Sequence, residues 1–238
     1  MDLKLEGKTA VVTGGSVGIG KAIALCLAQE GVDVAICARR KDVLDDTAAE
    51  IARATNRKIV PLVADLTKTE DANAFIEGAA EALGRIDILV NNAGAAAGGT
   101  LESLTDDDWE AALALKFFGY VRCTRAVVPY MKKQGGGRVV NLIGNDGVKP
   151  SYWEVAPGAA NAAGQNLTMS LAGQYGPDNI TFAAVNPGPV RTERWDGLVK
   201  AMSRDMKLPF DEANQLAPRS IPLGRIAQPE DLAAAVSF

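Results

Sequence analysis

Short runs of apolar and β-branched residues alternate along the chain with longer amphipathic stretches. The short runs are almost continuously apolar, as expected for strands that are buried on both faces of a parallel sheet. They predict strands at Thr9–Thr13, Asp33–Cys37, Lys58–Val63, Ile86–Val90, Arg138–Leu142 and Thr181–Val185. The amphipathic stretches predict helices at Ile19–Gln29, Arg40–Thr55, Asp71–Leu83, Thr105–Lys132 and Ala159–Tyr175.

Strands and helices of these lengths in alternation indicate right-handed crossovers and a doubly wound parallel sheet of the α/β class. No repeat, low-complexity stretch or linker interrupts the pattern, so residues 1–238 are predicted to form a single domain. Residues 189–225 carry proline and glycine near both ends, with one or two short helices between them. We interpret this segment as a flap that closes over a ligand; a surface excursion without a role is the alternative.

Composition narrows the classes of function. A net charge of −4 gives no electrostatic case for binding nucleic acid or an anionic membrane surface. No signal segment or membrane-spanning run is found, which predicts a cytoplasmic protein. Histidine is absent, which removes the commonest general base and metal ligand, and no metal site is predicted. Cys26, Cys37 and Cys123 are odd in number and widely spaced, and are predicted to be buried reduced thiols.

A glycine-rich turn follows the first predicted strand. The sequence TGGSVGIG, residues 13–20, places glycines at the start of a helix, where backbone N–H groups can meet a pyrophosphate. Any tight turn from strand to helix favours glycine, so this signal is weak alone. Three further segments follow predicted strands at the same edge of the sheet: ADL at 64–66, NNAG at 91–94 and PGPVRT at 187–192.

In order and spacing these segments resemble the short-chain dehydrogenase/reductase family from Lys8 to about Phe238. The resemblance implies a Rossmann-like fold, a nicotinamide dinucleotide cofactor, a small-molecule carbonyl or alcohol substrate, and a homodimer or homotetramer. The family's final strand is not predicted within residues 1–238. The resemblance implies that the cofactor contacts are Gly14, Ser16, Gly18, Ile19, Gly20, Asp65, Leu66, Asn92, Ala93, Gly94, Pro187, Gly188, Val190 and Thr192.

The end of the second predicted strand bears on the choice of cofactor. NAD sites carry an acid there for the ribose hydroxyl, whereas NADP sites need a cation for the 2′-phosphate. Here Ala38 is followed by Arg39 and Arg40, which predicts NADP, with NAD less favoured. The alternative is a basic helix start exposed to solvent, and Val17 lacks the basic side chain often found in the glycine turn of NADP-binding members.

The resemblance fails at the four catalytic positions. Where the family carries Asn, Ser, Tyr and Lys, this chain has Lys116, Gly144, Pro157 and Asn161. Proline cannot donate a proton and glycine cannot orient a carbonyl, so the family's usual mechanism cannot operate. We expect a wider cavity at Gly144 and Pro157, where the hydroxyl and phenol would have stood.

Two of these changes exchange Lys and Asn between helices that are predicted to pack together. The exchange keeps one ammonium and one amide near the nicotinamide ribose, which predicts a rebuilt site with Lys116 and Asn161 as catalytic residues and Asn161 as a cofactor contact. Alternatively, Lys116 reaches along its helix to solvent and Asn161 is a spacer.

The loop NDGVKPSYWEV, residues 145–155, offers further acid–base groups. Asp146 is one, although Asn-Asp-Gly is also a strong turn signal. Tyr152 most resembles the missing phenol and is a third catalytic candidate, five residues upstream of the family's position. Three functions remain open: an NADP-dependent oxidoreductase with an atypical active site, a non-redox lyase or isomerase on the same fold, and a non-catalytic NADP-binding protein.

Overall fold

The computed structural model describes residues 2–94 and 98–238, apart from the side chains at 194, 217 and 220. Within them, six parallel strands form one sheet in the order β3-β2-β1-β4-β5-β6. Ligands of such sheets bind at the carboxyl ends of the strands where the strand order reverses, which here is between β1 and β4. The strands are β1 (Thr9–Thr13), β2 (Asp33–Ala38), β3 (Ile59–Val63), β4 (Ile88–Asn91), β5 (Gly137–Leu142) and β6 (Ile180–Val185).

Helices cover both faces of this sheet, which confirms the predicted single-domain α/β fold. They are α1 (Gly18–Gln29), α2 (Lys41–Thr55), α3 (Thr69–Leu83), α4 (Asp106–Lys116), α5 (Phe118–Lys133), α6 (Val155–Tyr175), α7 (Glu193–Met206), α8 (Phe210–Ser220) and α9 (Pro229–Ser237). No helix in the described part of the chain is both long enough and apolar enough to cross a membrane.

Alternate residues of the strands face opposite helical layers, as the pleat requires. Ala10 and Val12 of β1 pack with residues of α1, α2 and α9. Val11, between them, packs on the other side with residues of α3 and α5. Because both faces of β1 are buried, its apolar run is uninterrupted, and each large buried side chain stabilises the fold by about 1.5–3 kcal/mol.

The stretch Thr105–Lys132 is helical as predicted, but it is not one helix, because the chain breaks into α4 and α5 at Phe117. Next to this break, Arg122 Nη1 donates to the Ala114 carbonyl at 2.9 Å and to the Leu66 carbonyl at 3.2 Å. The guanidinium thus satisfies a carbonyl group near the end of α4 and ties it to the loop after β3. The apolar pattern continues across the break, so spacing alone could not locate it.

The predicted start of α6 at Ala159 is also late, since the helix begins at Val155. Pro157 therefore lies inside the first turn. The first N–H groups of a helix have no partner within it, so a proline in this turn costs no helical hydrogen bond. The first bond of the helix is donated by the Gly158 N–H to the Glu154 carbonyl, at 2.7 Å.

Helices α7 and α8 have a small hydrophobic core of their own, formed by Trp195, Val199, Ala213 and Ile226. Trp195 Nε1 donates to Asn214 Oδ1 at 2.8 Å, which joins the two helices. The strand-like bridge between Val190 and Ala227 brings the two ends of this excursion together. Residues 189–225 are therefore largely a packed helical pair.

The described cysteines are free thiols. Burial raises the pKa of the Cys37 thiol far above its usual value and that of Cys123 to about 12. Both thiols are therefore protonated at neutral pH and are not nucleophiles. Cys26 is only half-buried, in contrast to the prediction, and its sulfur accepts from Ser237 Oγ at 3.2 Å.

Candidate functional site

The turn between β1 and α1 depends on glycine at specific points. A Cβ on Gly20 would lie 2.1 Å from the Gly14 carbonyl oxygen and 2.5 Å from Asn92 Nδ2. Gly14 and Gly18 have φ values of +66° and +56°, a region that strains residues with a side chain. This close approach places the amino end of α1, whose first N–H groups have no partner within the helix, at the carboxyl edge of the sheet.

Hydrogen bonds of Thr13 join the NNAG segment to this turn. Its hydroxyl oxygen accepts from the N–H groups of Asn92 at 2.8 Å and Ala93 at 2.9 Å. Asn92 Nδ2 donates in return to the Thr13 carbonyl at 2.9 Å. Two predicted cofactor segments are thereby held at a fixed spacing. Thr13 is not among the predicted site residues; its signal in the sequence is a hydroxyl group at the end of an apolar strand.

A pocket of about 460 Å³ lies at the carboxyl ends of β1, β2 and β3. Burial of Cys37 leaves a neutral thiol in its wall, whereas the exposed Arg39 and Arg40 add positive charge. Among the described residues, no acid lies within ion-pair distance of either arginine. The lining residues include seven of the predicted cofactor contacts: Gly14, Ser16, Arg39, Arg40, Asp65, Leu66 and Ala93.

Asp65 is the carboxylate of this pocket. Partial burial raises the pKa of its carboxyl, but hydrogen bonds from Thr67 and the positive charges of Arg39 and Lys68 outweigh burial and lower the pKa overall. One oxygen, Oδ1, accepts from both the N–H and the hydroxyl of Thr67, at 3.1 and 2.8 Å. Asp65 is therefore ionised at neutral pH, and Oδ2 has acceptor capacity for an amino group of a ligand.

The segment after β6 meets the same edge of the sheet. A Cβ on Gly18 would lie 3.3 Å from Thr192 Cγ2, so Thr192 lies against the glycine turn. The Pro187 carbonyl accepts from the Asn145 N–H at 2.8 Å, which joins this segment to the loop after β5. Val190 is buried and Gly188 is exposed, whereas Ile19 packs partly against the core beneath.

Lys116 is the last residue of α4, directly before the break. Its methylene chain lies over Gly94, because a Cβ there would be 3.2 Å from Lys116 Cδ and 3.3 Å from Cγ. The Lys116 side chain therefore lies at the carboxyl end of β4. Helix α4 also packs against α6, which carries Asn161, as predicted.

Asn161 is buried in the first half of α6, with 2% of its surface exposed. Its Nδ2 donates to both carboxylate oxygens of Asp146, at 2.9 Å each. A Cβ on Gly144 would lie 2.4 Å from Asn161 Nδ2 and 2.8 Å from Asp146 Oδ1. The expected cavity at Gly144 is therefore wrong, because the Asn161–Asp146 pair fills that space.

Replacing Gly144 by serine restores the side chain that the family resemblance implies at this position, and is expected to destabilise the fold. Gly144 has φ +146°, and a Cβ would collide with Asn161. We expect the free energy of unfolding to fall by about 1–3 kcal/mol in a denaturant titration. Gly173→Ser is the control, because no atom lies within 4 Å of a Cβ there. Equal stability of the two variants would contradict this interpretation of Gly144.

The loop before α6 carries two consecutive aromatic residues, one exposed and one buried. Tyr152 is 71% exposed, and its catalytic role stays a prediction. Trp153 is buried, and its Nε1 donates to Asp205 Oδ2 of α7 at 3.1 Å. This bond joins the loop to the helical pair that follows β6. In the described part of the chain, no three acidic, cysteine or histidine side chains cluster in a way that could hold a metal ion.

Comparisons with known proteins agree with this architecture. The family model for short chain dehydrogenases matches residues 8–203. The 3-oxoacyl-(acyl-carrier-protein) reductase FabG of Thermotoga maritima is 34% identical, over 99% of this chain and 91% of its own. Among solved structures, L-sorbose reductase from Gluconobacter frateurii, complexed with NADPH and L-sorbose, has a TM-score of 0.93 and 32% identity over 100% of this chain and 91% of its own.

An NAD+-bound xylitol dehydrogenase has the same TM-score of 0.93, with 27% identity over 99% of this chain and 92% of its own. Similar folds therefore bind either nicotinamide cofactor. With the parallel sheet, the glycine turn and the NNAG segment in place, these matches settle the family. The chain belongs to the short-chain dehydrogenase/reductase family of oxidoreductases, whose members act on small-molecule substrates.

Proposed function

We propose that this chain is an NADP(H)-dependent oxidoreductase that interconverts a carbonyl and an alcohol through an atypical active site. The observation that carries the proposal is the pocket beside the glycine turn, with Arg39 and Arg40 lining it and Asp65 inside it. The glycine turn has no room for a Cβ at Gly20, which fits a backbone cradle for a pyrophosphate. The donors and acceptors present thus fit an NADP molecule.

Charge favours NADP over NAD in this pocket. A guanidinium group holds a phosphate through parallel charge-assisted hydrogen bonds, and β2 ends without an acid that would repel one. The NADPH complex of the sorbose reductase supports this choice, whereas the NAD+ complex of the xylitol dehydrogenase shows that the fold alone does not decide it. The preference is therefore assigned to Arg39, with a smaller contribution from Arg40.

Among the four substituted catalytic positions, Lys116 alone carries an acidic proton that a substrate could accept. When bound, NADPH supplies a hydride to the carbonyl carbon of the substrate. Pro157 and Gly144 have no proton to give, so the Lys116 ammonium polarises the carbonyl oxygen and donates the proton that completes the alcohol. Nζ then recovers a proton from solvent. The position of Lys116 over Gly94, at the edge where the cofactor segments meet, supports this role.

Residues 189–225 are proposed to cover the substrate. Helices α7 and α8 pack on each other around Trp195, so they can move as one unit. Thr192 at the start of the segment contacts the glycine turn, and the bond from Trp153 to Asp205 connects α7 to the loop before α6. Closure of such a unit would exclude water from the reacting groups.

The proposed function is tested in two steps with the purified chain. The fluorescence of the reduced nicotinamide first reports NADPH binding, and a panel of small carbonyl compounds is then screened for NADPH oxidation. Consumption of NADPH in proportion to alcohol formed is expected. Binding without oxidation would favour the non-catalytic protein, and conversion of a substrate without NADPH would favour the lyase or isomerase. Sedimentation tests the homodimer or homotetramer, which stays a prediction.

A further inference from the structure

A second pocket, of about 340 Å³, lies at the edge of the sheet opposite to the glycine turn, where the parallel strands begin. It is bounded by the segment before β1, the starts of β4 and β5, the turn between α5 and β5, and Asn179 before β6. We call it the amino-edge pocket. Small-molecule sites have volumes of about 300–1,000 Å³, so this pocket is large enough to hold a ligand.

The charged side chains around the amino-edge pocket are mostly basic. Lys4, Lys8, Arg85 and Arg138 line it, and Asp87 is the one acid among its described lining residues. The whole chain, by contrast, carries a net charge of −4. A concave concentration of positive charge on an acidic protein attracts anions to that place.

The single acid does not neutralise this group of cations. Arg85 Nε donates to Asp87 Oδ2 at 3.0 Å, and Nη2 donates to Oδ1 at 2.6 Å, so these two side chains balance each other. Among the described residues, no acid lies within ion-pair distance of Lys4, Lys8 or Arg138. Three positive charges therefore remain around the pocket.

The turn between α5 and β5 forms a rigid wall of this pocket. A Cβ on Gly136 would lie 2.5 Å from Asn179 Nδ2, and a Cβ on Gly137 would lie 2.4 Å from Met131 Sδ. Arg138 is held against this wall, because its Nη1 donates to the Gly137 carbonyl at 2.9 Å and to the Asn179 carbonyl at 3.3 Å. In the described part of the chain these bonds engage only Nη1, so Nε and Nη2 keep N–H groups for a ligand.

We propose that the amino-edge pocket binds a small molecule that carries a phosphate or diphosphate group. Three cations match a polyvalent anion better than a single carboxylate, and guanidinium and ammonium groups hold phosphate oxygens through charge-assisted hydrogen bonds. Leu3, Leu5 and Ile88 in the same lining offer apolar contacts to the organic part of such a ligand. The inference goes beyond the proposed function, because this pocket and the cofactor segments lie at opposite edges of the sheet.

Isothermal titration with inorganic pyrophosphate, in a buffer without phosphate or sulfate, tests this inference. Pyrophosphate can also meet the glycine turn, so saturating NADPH is added to occupy that site. The wild-type chain is expected to bind one pyrophosphate. Lys8→Ala and Arg138→Ala are each expected to raise the Kd for pyrophosphate by about tenfold, the effect of one lost charge-assisted hydrogen bond.

Two controls make the result specific to the amino-edge pocket. Arg53→Ala removes an exposed arginine of α2 that does not line the pocket, and should leave the Kd for pyrophosphate unchanged. Thermal unfolding shows whether each variant folds. Lys8 is exposed and Arg138 bonds to two carbonyl groups, so Lys8→Ala keeps the test decisive if Arg138→Ala is unstable.

Three outcomes would overturn the inference: no binding of pyrophosphate beside NADPH, the same Kd in Lys8→Ala and wild type, or an equal loss in Arg53→Ala. Sedimentation with vesicles that contain phosphatidic acid distinguishes a lipid headgroup from a free phosphate compound. Binding to these vesicles without binding of pyrophosphate would also contradict a small-molecule site. If NADPH does not bind, the proposed function fails, whereas a weaker pyrophosphate complex in Lys8→Ala still locates the anion in the amino-edge pocket.

Discussion

Replacing Lys116 by methionine is expected to lower kcat by about a hundredfold or more, because proton donation by a positioned side chain contributes a factor of at least that size. Methionine is unbranched like lysine, so it can keep the packing over Gly94 while it removes the ammonium group. NADPH binding and the thermal unfolding temperature should change little. Steady-state kinetics with the carbonyl substrate found in the screen provide the measurement.

Two further variants make this prediction specific to the Lys116 proton. Lys116→Arg should not restore kcat, because a guanidinium group keeps its charge but does not release a proton near neutral pH. Lys133→Met, an exposed lysine at the end of α5, is the control and should keep wild-type kcat. Wild-type kcat in Lys116→Met would remove Lys116 from the mechanism and leave Tyr152 as the remaining candidate donor.

Replacing Arg39 by alanine is expected to weaken NADPH binding by about 1.5–3 kcal/mol, the range for a charge-assisted hydrogen bond to a phosphate. NADH has no 2′-phosphate, so its Kd should barely change. Isothermal titration with the two cofactors measures the difference directly. Arg53→Ala, an exposed arginine on α2, is the control for a loss of positive charge away from the pocket. Equal losses for NADPH and NADH would show that Arg39 has a structural role.

The sequence predicts the sheet closely because parallel strands leave a strong signal. Both faces of β1 are buried, so its apolar run coincides with the strand from Thr9 to Thr13. The glycine turn is equally predictable, because its geometry requires glycine at positions 14, 18 and 20 and does not tolerate other residues there. Each feature is marked by residue types within a short continuous stretch, so the sequence alone shows it.

Features that depend on contacts between distant segments were not predictable in the same way. At the break after Lys116, the Arg122 guanidinium donates hydrogen bonds to the end of α4 and to the loop after β3. The apolar spacing of the sequence continues through the break and does not reveal it. The loss of the hydroxyl at Gly144 indicated open space, yet Asn161 and Asp146 meet there. Only the packing of α6 against the loop after β5 brings that amide and carboxylate together.

The most direct test of the central claim is the transfer of deuterium from NADPH labelled at the nicotinamide C4 carbon. Each of the two C4 epimers is incubated with the chain and the carbonyl substrate, and the product is analysed by mass spectrometry. The account predicts an alcohol that carries one deuterium on the former carbonyl carbon with one of the two epimers. A product without deuterium from either epimer, or NADPH binding without conversion of any carbonyl in the panel, would contradict it.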